Sequence, residues 1–252
     1  MSIFRRRLIV WLTPKGKRRL GIGALLVVAL LFLLTRVIPE SSTWTTWNMP
    51  LSGMTIAIDA GHGGADGGAV SKQGAIEKDL NLSIALYLRD YLQEAGAIVV
   101  MTREGDYDLA KDDTRSYSRR KTEDLMKRVA MLQDAKPEML ISVHMNSIPS
   151  EKWSGAQTFY HKTGTKASEQ LAISIQQQLK YNLENTQRSA ATVETIYILK
   201  AMKDLPSALV EVGFLSNPKE SNLLVDAEYQ RTVAASIYKG ILQYETEGKK
   251  IE

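Results

Sequence analysis

Beyond its amino-terminal part, the chain alternates short β-branched runs with longer amphipathic segments, and this alternation limits the fold more than any other feature. Segment 77–94, for example, places Leu80, Ile84 and Leu88 at helical spacing, and Gly96 stops it. This order predicts an α/β fold with a mostly parallel, twisted sheet of about six strands flanked by helices. The strands are predicted at 55–58, 97–101, 139–143, 157–160, 195–199 and 208–212, and the helices at 77–94, 118–135, 168–181, from 217 onward and at 229–245.

A membrane segment is predicted before this domain. Residues 20–34, LGIGALLVVALLFLL, contain no polar side chain, and seven basic residues precede them, which is typical of a segment inserted with its start in the cytoplasm. Extended to residue 38, the segment is long enough for a retained anchor, while a cleaved signal stays the alternative. Either interpretation places the rest of the chain outside the cytoplasm. The predicted parts are a basic cytoplasmic segment (1–19), an anchor or signal segment (20–38), a linker rich in Pro, Ser and Thr (39–53) and one folded domain (54–246).

The charge of the folded part argues against nucleic-acid binding. The net charge of +4 hides a basic start, because the first 39 residues carry eight Lys or Arg side chains and no acid. The remainder has 24 basic and 28 acidic residues, whereas nucleic-acid binding requires a basic face. The chain also lacks cysteine, which excludes disulfides and thiolate metal sites. Any metal must therefore be held by carboxylates or by the three histidines.

Two histidines and two glutamates fall where predicted strands end or a helix begins. His62 follows the first strand, Glu77 opens the first helix, and His144 and Glu211 end the third and sixth strands. The carboxyl ends of strands build the site in open α/β sheets, so we expect these side chains to converge. Two imidazoles and one carboxylate are typical of catalytic zinc, and a second carboxylate is typical of a general base. Taken singly, each has a simpler interpretation as a packing histidine, a helix-dipole partner or a buried ion pair.

Two further features are interpreted without a catalytic role. The glycine-rich stretch 61–68 follows a strand, as a nucleotide-binding loop does, but it has no Gly-Lys-Ser/Thr and no G-x-G-x-x-G register. We interpret its glycines as letting the backbone pass close to a metal and an extended substrate. His161 ends the fourth predicted strand and is interpreted as a surface residue.

The chain carries four ordered motifs: IDAGHGGADGGA (58–69), EKDLNL (77–82), SVHMN (142–146) and EVGFLSN (211–217). They resemble those of the zinc-dependent N-acetylmuramoyl-L-alanine amidases, and the resemblance covers residues 54–244. The resemblance implies one zinc ion per chain, bound by His62, Glu77 and His144, with Glu211 as catalytic acid and base. Three other stretches, YSRRKTEDLMKRV, PSEKWSGAQTFY and YNLENTQR, are similar to the germination-specific amidases of endospore formers, which help to make muramic-δ-lactam in the spore cortex.

The resemblance implies hydrolysis of the amide between N-acetylmuramic acid and L-alanine of peptidoglycan stem peptides. It implies action outside the cytoplasm, and in sporulating cells in the space between the mother-cell and forespore membranes. Whether an accessory protein is needed stays open. Two other classes of function also stay open: a catalytically inactive peptidoglycan-binding scaffold, and a zinc peptidase that cuts within the stem peptide.

Three more polar residues are candidates for the site. Asp59 and Asn146 are expected to support the ligand histidines or to contact substrate, with turn residues as the alternative. Arg103 follows the second predicted strand and is interpreted first as a solvated loop side chain, with a contact to a stem-peptide carboxylate as the alternative. The polar loop 103–116 is either a wall of the substrate groove or plain surface.

Overall fold

The computed structural model describes residues 14–37 and 49–248. These residues fall into two units, and the second, from Met49 onward, holds the whole sheet. In chain order the elements are α1 (Pro14–Val37), β1 (Thr55–Ala60), α2 (Glu77–Glu94), β2 (Ile98–Met101), α3 (Tyr117–Ala135), β3 (Met139–Asn146), β4 (Gln157–His161), α4 (Lys166–Leu183), β5 (Ala191–Val193), α5 (Tyr197–Ala201), β6 (Ser207–Phe214), α6 (Pro218–Leu224) and α7 (Ala227–Gly248).

The predicted α/β fold with a six-stranded, mostly parallel sheet is confirmed. The strand order is β2-β1-β3-β6-β4-β5, and the first four strands of this order are mutually parallel. β4 runs antiparallel to β6 and parallel to β5, so the last two strands point the opposite way. Because β1, β3 and β6 are central and parallel, their carboxyl ends lie side by side at one edge.

Helices cover both faces of the sheet. On one face, α2, α4 and α7 bury the larger core, in which Ile58, Ile141 and Val210 come from the three central strands. On the other face, α3 and α5 cover a smaller core that includes Leu140 and Leu209. Alternate residues of each strand therefore enter opposite cores, as the two-residue period of a strand requires.

One predicted strand is wrong. Residues 195–199 were expected to form a strand, but Tyr197–Ala201 is the short helix α5, and the strand β5 lies earlier, at Ala191–Val193. A short apolar run fits a buried helix as well as a strand, and packing decides between them. Here Ile198 and Leu199 are buried in the smaller core, one beside the other on one turn.

Asn217 caps α6 as the sequence predicts, with its side chain accepting from Lys219 N (3.0 Å) and Glu220 N (3.1 Å), and Pro218 occupies the first turn. At the other end of the chain, residues 20–37 lie within α1. No helix in the described residues combines the length and the apolar character needed to cross a membrane. Residues 39–48 of the predicted linker lie outside the described residues.

Candidate metal centre and active-site groove

The structure brings together the side chains of His62, Glu77 and His144 at the carboxyl edge of the sheet. His62 follows β1, Glu77 is the first residue of α2, and His144 lies on β3, in register with Glu211 on β6. His62 Nε2 and His144 Nδ1 each lie 3.1 Å from Glu77 Oε1. The two imidazole rings meet edge to face, with their centroids 5.0 Å apart.

This arrangement fits a metal ion with nitrogen and oxygen ligands. One atom from each of the three residues can be chosen so that all lie within 4.8 Å of one another. Ligand atoms around tetrahedral zinc lie about 3.3 Å apart, as bond lengths of about 2.0–2.1 Å require. The two measured separations of 3.1 Å to Glu77 Oε1 are close to that value. Two imidazoles and one carboxylate also leave a coordination position open.

The glycines around His62 are required by close packing. A Cβ at Gly61 would overlap the His144 ring, and a Cβ at Gly68 would lie 2.6 Å from Glu77 Oε2 and 2.7 Å from His62 Cδ2. His62 itself has a φ of 62°, in the left-handed region that L-residues rarely adopt. The strand therefore turns sharply at His62, and the glycines leave room for the converging side chains.

Arg103 differs from the sequence prediction. We expected a contact with a substrate carboxylate or a solvated side chain, but the structure buries Arg103, which is 1% exposed. A buried guanidinium cannot meet a substrate, and its donors are used within the protein. They bond the main-chain oxygens of Ala60 (3.0 Å), Gly61 (3.0 Å), His62 (2.7 Å), Lys78 (2.7 Å) and Gly105 (3.0 Å).

A second buried arginine, Arg128 of α3, holds the same turn. It donates to Ala60 O (2.8 Å) and to His62 O, and it pairs with Asp59 (2.9 Å) and Asp124 (2.9 Å). Asp59 thus supports the histidine turn through Arg128, and its predicted contact with a ligand histidine or with substrate stays a prediction. Burial alone would raise the pKa of Asp59, but the charge of Arg128 and its bond from Ser142 hold that pKa below its usual range.

Asp66 contacts the ring nitrogen of His62 that Glu77 does not contact. Its Oδ2 lies 2.9 Å from His62 Nδ1, while His62 Nε2 points to Glu77. Burial alone would lower the pKa of His62, but hydrogen bonds to Asp66 and Glu77 outweigh it and raise this pKa to about 9. Asp66 is itself bound by Tyr117 Oη (2.9 Å) and Lys121 Nζ (2.9 Å). Such a carboxylate fixes the ring of a ligand histidine and the tautomer that it adopts.

Glu211 lies beside this cluster with an unused oxygen. Within residues 14–37 and 49–248, its buried Oε2 has no hydrogen-bond partner. Burial raises the pKa of Glu211 to about 7; the charge of His144 opposes this effect, and that of Glu77 adds to it. A carboxyl group whose pKa lies near neutrality can both accept and donate a proton.

A groove with a volume of about 250 Å³ opens beside these residues. His62, His144 and Glu211 form its polar edge. Apolar side chains also line it, and they come from Leu125 of α3, Leu209 of β6 and residues 196–198 at the start of α5. The helix α5, which the sequence analysis predicted as a strand, thus contributes part of the groove wall.

Residues 56–243 match the family model of N-acetylmuramoyl-L-alanine amidase. The chain belongs to this amidase family. It is 51% identical over 220 residues, 87% of this chain and 92% of the relative, to the germination-specific N-acetylmuramoyl-L-alanine amidase of Bacillus subtilis. The predicted enzyme class, N-acetylmuramoyl-L-alanine amidase, is therefore confirmed.

Solved structures agree with this family. The CwlD amidase from Clostridioides difficile, solved in complex with the GerS lipoprotein, is 39% identical with a TM-score of 0.75, over 77% of this chain and 99% of that one. The catalytic domain of CwlV, an amidase from Bacillus (Paenibacillus) polymyxa var. colistinus, is 30% identical with a TM-score of 0.65, over 76% and 97% of the two chains.

Sequence reasoning missed three residues of the candidate site. Asp66 stands four residues after His62, inside a motif that was already singled out. Asn81 stands one turn after Glu77, and its Nδ2 donates to Gly61 O (3.2 Å) and Glu77 Oε1 (3.3 Å). Arg128 is a basic residue on the buried face of α3, four residues after an acid. Each of the three lies four residues from a partner in the sequence, His62, Glu77 or Asp124, and this spacing could have indicated the contact.

The remaining predictions have mixed outcomes. Asn146 ends β3 and is half-buried, and its role stays a prediction. The prediction that His161 is a surface residue is wrong. His161 is 6% exposed, and its Nδ1 accepts a hydrogen bond from Thr163 N (3.3 Å). The loop 103–116 lies against the glycine-rich stretch, where Asp106 accepts from Gly64 N (2.9 Å).

The raised pKa of His62 predicts how the metal-free amidase titrates. His62 should lose its proton near pH 9, so its pairing with Asp66 and Glu77 stabilises the metal-free fold fully below pH 6.5 and is lost as the pH rises through 9. Asp66→Asn removes one charge and should move this pKa downward. NMR of the imidazole signals in chelator-treated protein measures both values. Titration near pH 6.5 in both proteins would contradict the role of Asp66.

Proposed function

We propose that this amidase is zinc-dependent and cleaves the amide that joins N-acetylmuramic acid to L-alanine of the stem peptide. The observation that carries the proposal is the convergence of His62 Nε2, His144 Nδ1 and Glu77 Oε1 beside Glu211, whose Oε2 has no hydrogen-bond partner among the described residues. His62, Glu77 and His144 would hold the zinc ion, one per chain. When bound, zinc supplies a Lewis acid for the substrate carbonyl and makes water more acidic.

Glu211 is proposed as the proton carrier. Its free Oε2 can take a proton from the attacking water and then give it to the leaving amine of L-alanine. Glu211 is not proposed as a fourth ligand, because a site closed by four protein ligands is typically structural. Asp66 holds His62 by its other nitrogen, so that Nε2 stays directed at the ligand cluster.

Two variants separate the proposed ligands from the proposed proton carrier. His144→Ala should lose zinc and activity while staying folded, because the sheet is built by apolar packing that does not include the site. Glu211→Gln keeps its shape but cannot accept a proton, so it should retain zinc and lose turnover by roughly 10²–10⁴-fold. Zinc content, far-ultraviolet circular dichroism and hydrolysis of purified peptidoglycan measure these effects.

Glu77→Gln serves as the matched control, since it makes the same chemical change at a proposed ligand. It should weaken zinc binding before anything else. If Glu211→Gln loses zinc while Glu77→Gln keeps it, the two carboxylates have been assigned the wrong way round. Full activity of the metal-free protein would refute zinc dependence, and products cut within the stem peptide would identify a peptidase.

The membrane segment is also a proposal. We propose that residues 20–38 anchor the chain, or direct its export, and that the catalytic domain acts outside the cytoplasm, where peptidoglycan lies. A phosphatase reporter that needs an oxidising compartment, fused after Glu252, should be active, while a reporter that works only in the cytoplasm should be silent. The reverse pattern would refute this topology.

The proposed biological role is a step in muramic-δ-lactam formation in spore cortex, in the space between the mother-cell and forespore membranes. It is supported by the 51% identity to a relative named as germination-specific. Cells without this protein should grow normally and form spores that lack the lactam and germinate poorly, which muropeptide analysis of the cortex measures. Normal lactam content would remove the spore-specific role and leave the amidase activity in place.

An accessory protein is a separate question. The C. difficile relative was solved in complex with the GerS lipoprotein, and that partner is a property of the relative. For this chain, full activity of the purified protein alone on peptidoglycan would show that no accessory protein is required.

A further inference from the structure

The sheet continues past Glu211 into β4, where Gln157 lies opposite Glu211 in the antiparallel register. Opposed residues on neighbouring strands face the same side of the sheet, with Cβ atoms about 4.5–5.5 Å apart. Gln157 is therefore the lateral neighbour of Glu211. Its Oε1 accepts a hydrogen bond from Arg188 Nη1 (3.4 Å), and its Nε2 donates to Ser189 O (3.0 Å). Adjacent side chains thus lead from Glu211 to Arg188.

Arg188 is held between two aromatic rings. Its guanidinium carbon lies 5.2 Å from the centroid of Trp153 and 5.2 Å from that of Phe214. Phe214 is buried at the end of β6, whereas Trp153, in the loop before β4, is 52% exposed. Stacking of this kind limits the rotamers of arginine and leaves the N–H groups at its edge available.

The donors of Arg188 are only weakly used. The two hydrogen bonds that its guanidinium makes among the described residues, to Ser154 O and Gln157 Oε1, are each 3.4 Å long, beyond the usual range of about 2.7–3.2 Å. In the part of the chain that the structure describes, no carboxylate lies within ion-pair distance of it. Glu220 attracts it from farther away, but the oxygens of Glu220 already accept from Gly155 N (2.9 Å) and Phe214 N (2.8 Å).

Arg188 differs from Arg103 and Arg128 in its burial and in how its hydrogen-bond donors are used. Arg103 and Arg128 are buried, and they spend their donors on main-chain oxygens and on Asp59 and Asp124. Arg188 is half-buried, it has no ion-pair partner among the described residues, and Gln157 separates it from the proposed proton carrier. A planar guanidinium with free donors is suited to bind a carboxylate through two parallel hydrogen bonds.

We propose that Arg188 binds a carboxylate of the substrate's peptide and so positions the stem peptide across Gln157, with the scissile amide at Glu211. The proposal rests on the proposed function and names the part of the substrate that this end of the site recognises. Peptides supply carboxylates at acidic side chains and at their carboxyl terminus, whereas the carboxyl group of N-acetylmuramic acid is held in the scissile amide of the intact substrate. The segments 149–160 and 181–188, which the metal cluster does not use, meet at this subsite.

The test compares the full chain, purified in detergent, with Arg188→Ala and Arg188→Lys on a muropeptide whose peptide carboxylates are either free or amidated. On the free substrate, Arg188→Ala should raise KM by roughly 10- to 100-fold, the value of a hydrogen bond to a charged group, and should lower kcat far less. Arg188→Lys should recover part of the loss, because it keeps the charge but not the paired donors.

The effects of substrate amidation and of Arg188→Ala on KM should not be additive, because both changes remove the same interaction. The KM of Arg188→Ala for the amidated substrate should therefore equal that of the wild type for the same substrate. Arg231 is the matched control: its guanidinium also stacks on an aromatic ring, Tyr87, at 5.1 Å, but on α7 and α2. Arg231→Ala should keep the KM of the wild type for both substrates.

The outcomes separate this proposal from the proposed function. If the wild type cleaves neither substrate, the proposed function fails and this proposal fails with it. If the wild type cleaves both and Arg188→Ala has an unchanged KM, only this proposal is overturned. An equal further loss on the amidated substrate would also overturn it, since Arg188 would then act by holding the Trp153 loop. If KM rises for Trp153→Ala but not for Arg188→Ala, the proposal is also overturned, and Trp153 would contact a sugar instead.

Discussion

The site depends on two buried arginines that bind the main chain where β1 ends. Arg103 and Arg128 bond the carbonyl groups of Ala60 and His62, and Arg103 also bonds that of Gly61. His62 has a positive φ, which costs a non-glycine residue about 1–3 kcal/mol. Hydrogen bonds from charged donors contribute about 1.5–3 kcal/mol each, so this set is large enough to hold the strained turn.

Two arginines this close repel each other, and acids on both sides offset that repulsion. Burial and the charge of Arg128 lower the pKa of Arg103. Asp59 and Asp124 pair with Arg128, and Asp59 also accepts from Ser142 Oγ on β3 (2.7 Å). The network thus ties α3 and β3 to the end of β1. Removal of either partner would leave a buried charge without compensation, which is far more costly than the pair itself is worth.

The two glutamates of the site differ in how many hydrogen-bond partners they have. Glu77 accepts from both histidines and from the main-chain N–H groups of Ala69 and Met145, so its position is fixed from several directions. Glu211 Oε2, in contrast, has no partner among the described residues. A fixed cluster of possible ligands beside a carboxyl oxygen without a partner suits the proposed metal site and proton transfer, because such an oxygen can respond to the reacting atoms.

The strand–helix alternation, the α/β class and the edge at which His62, Glu77, His144 and Glu211 lie could all be predicted from the sequence, because periodicity and strand ends are local properties of the chain. It did not determine that 197–201 is a helix or that His161 is buried, since packing decides short apolar runs and single side chains. Only the tertiary structure decided the role of Arg103. A charged residue after a strand resembles a surface group in sequence, and only the fold brings the carbonyl groups of a distant turn within reach of its donors.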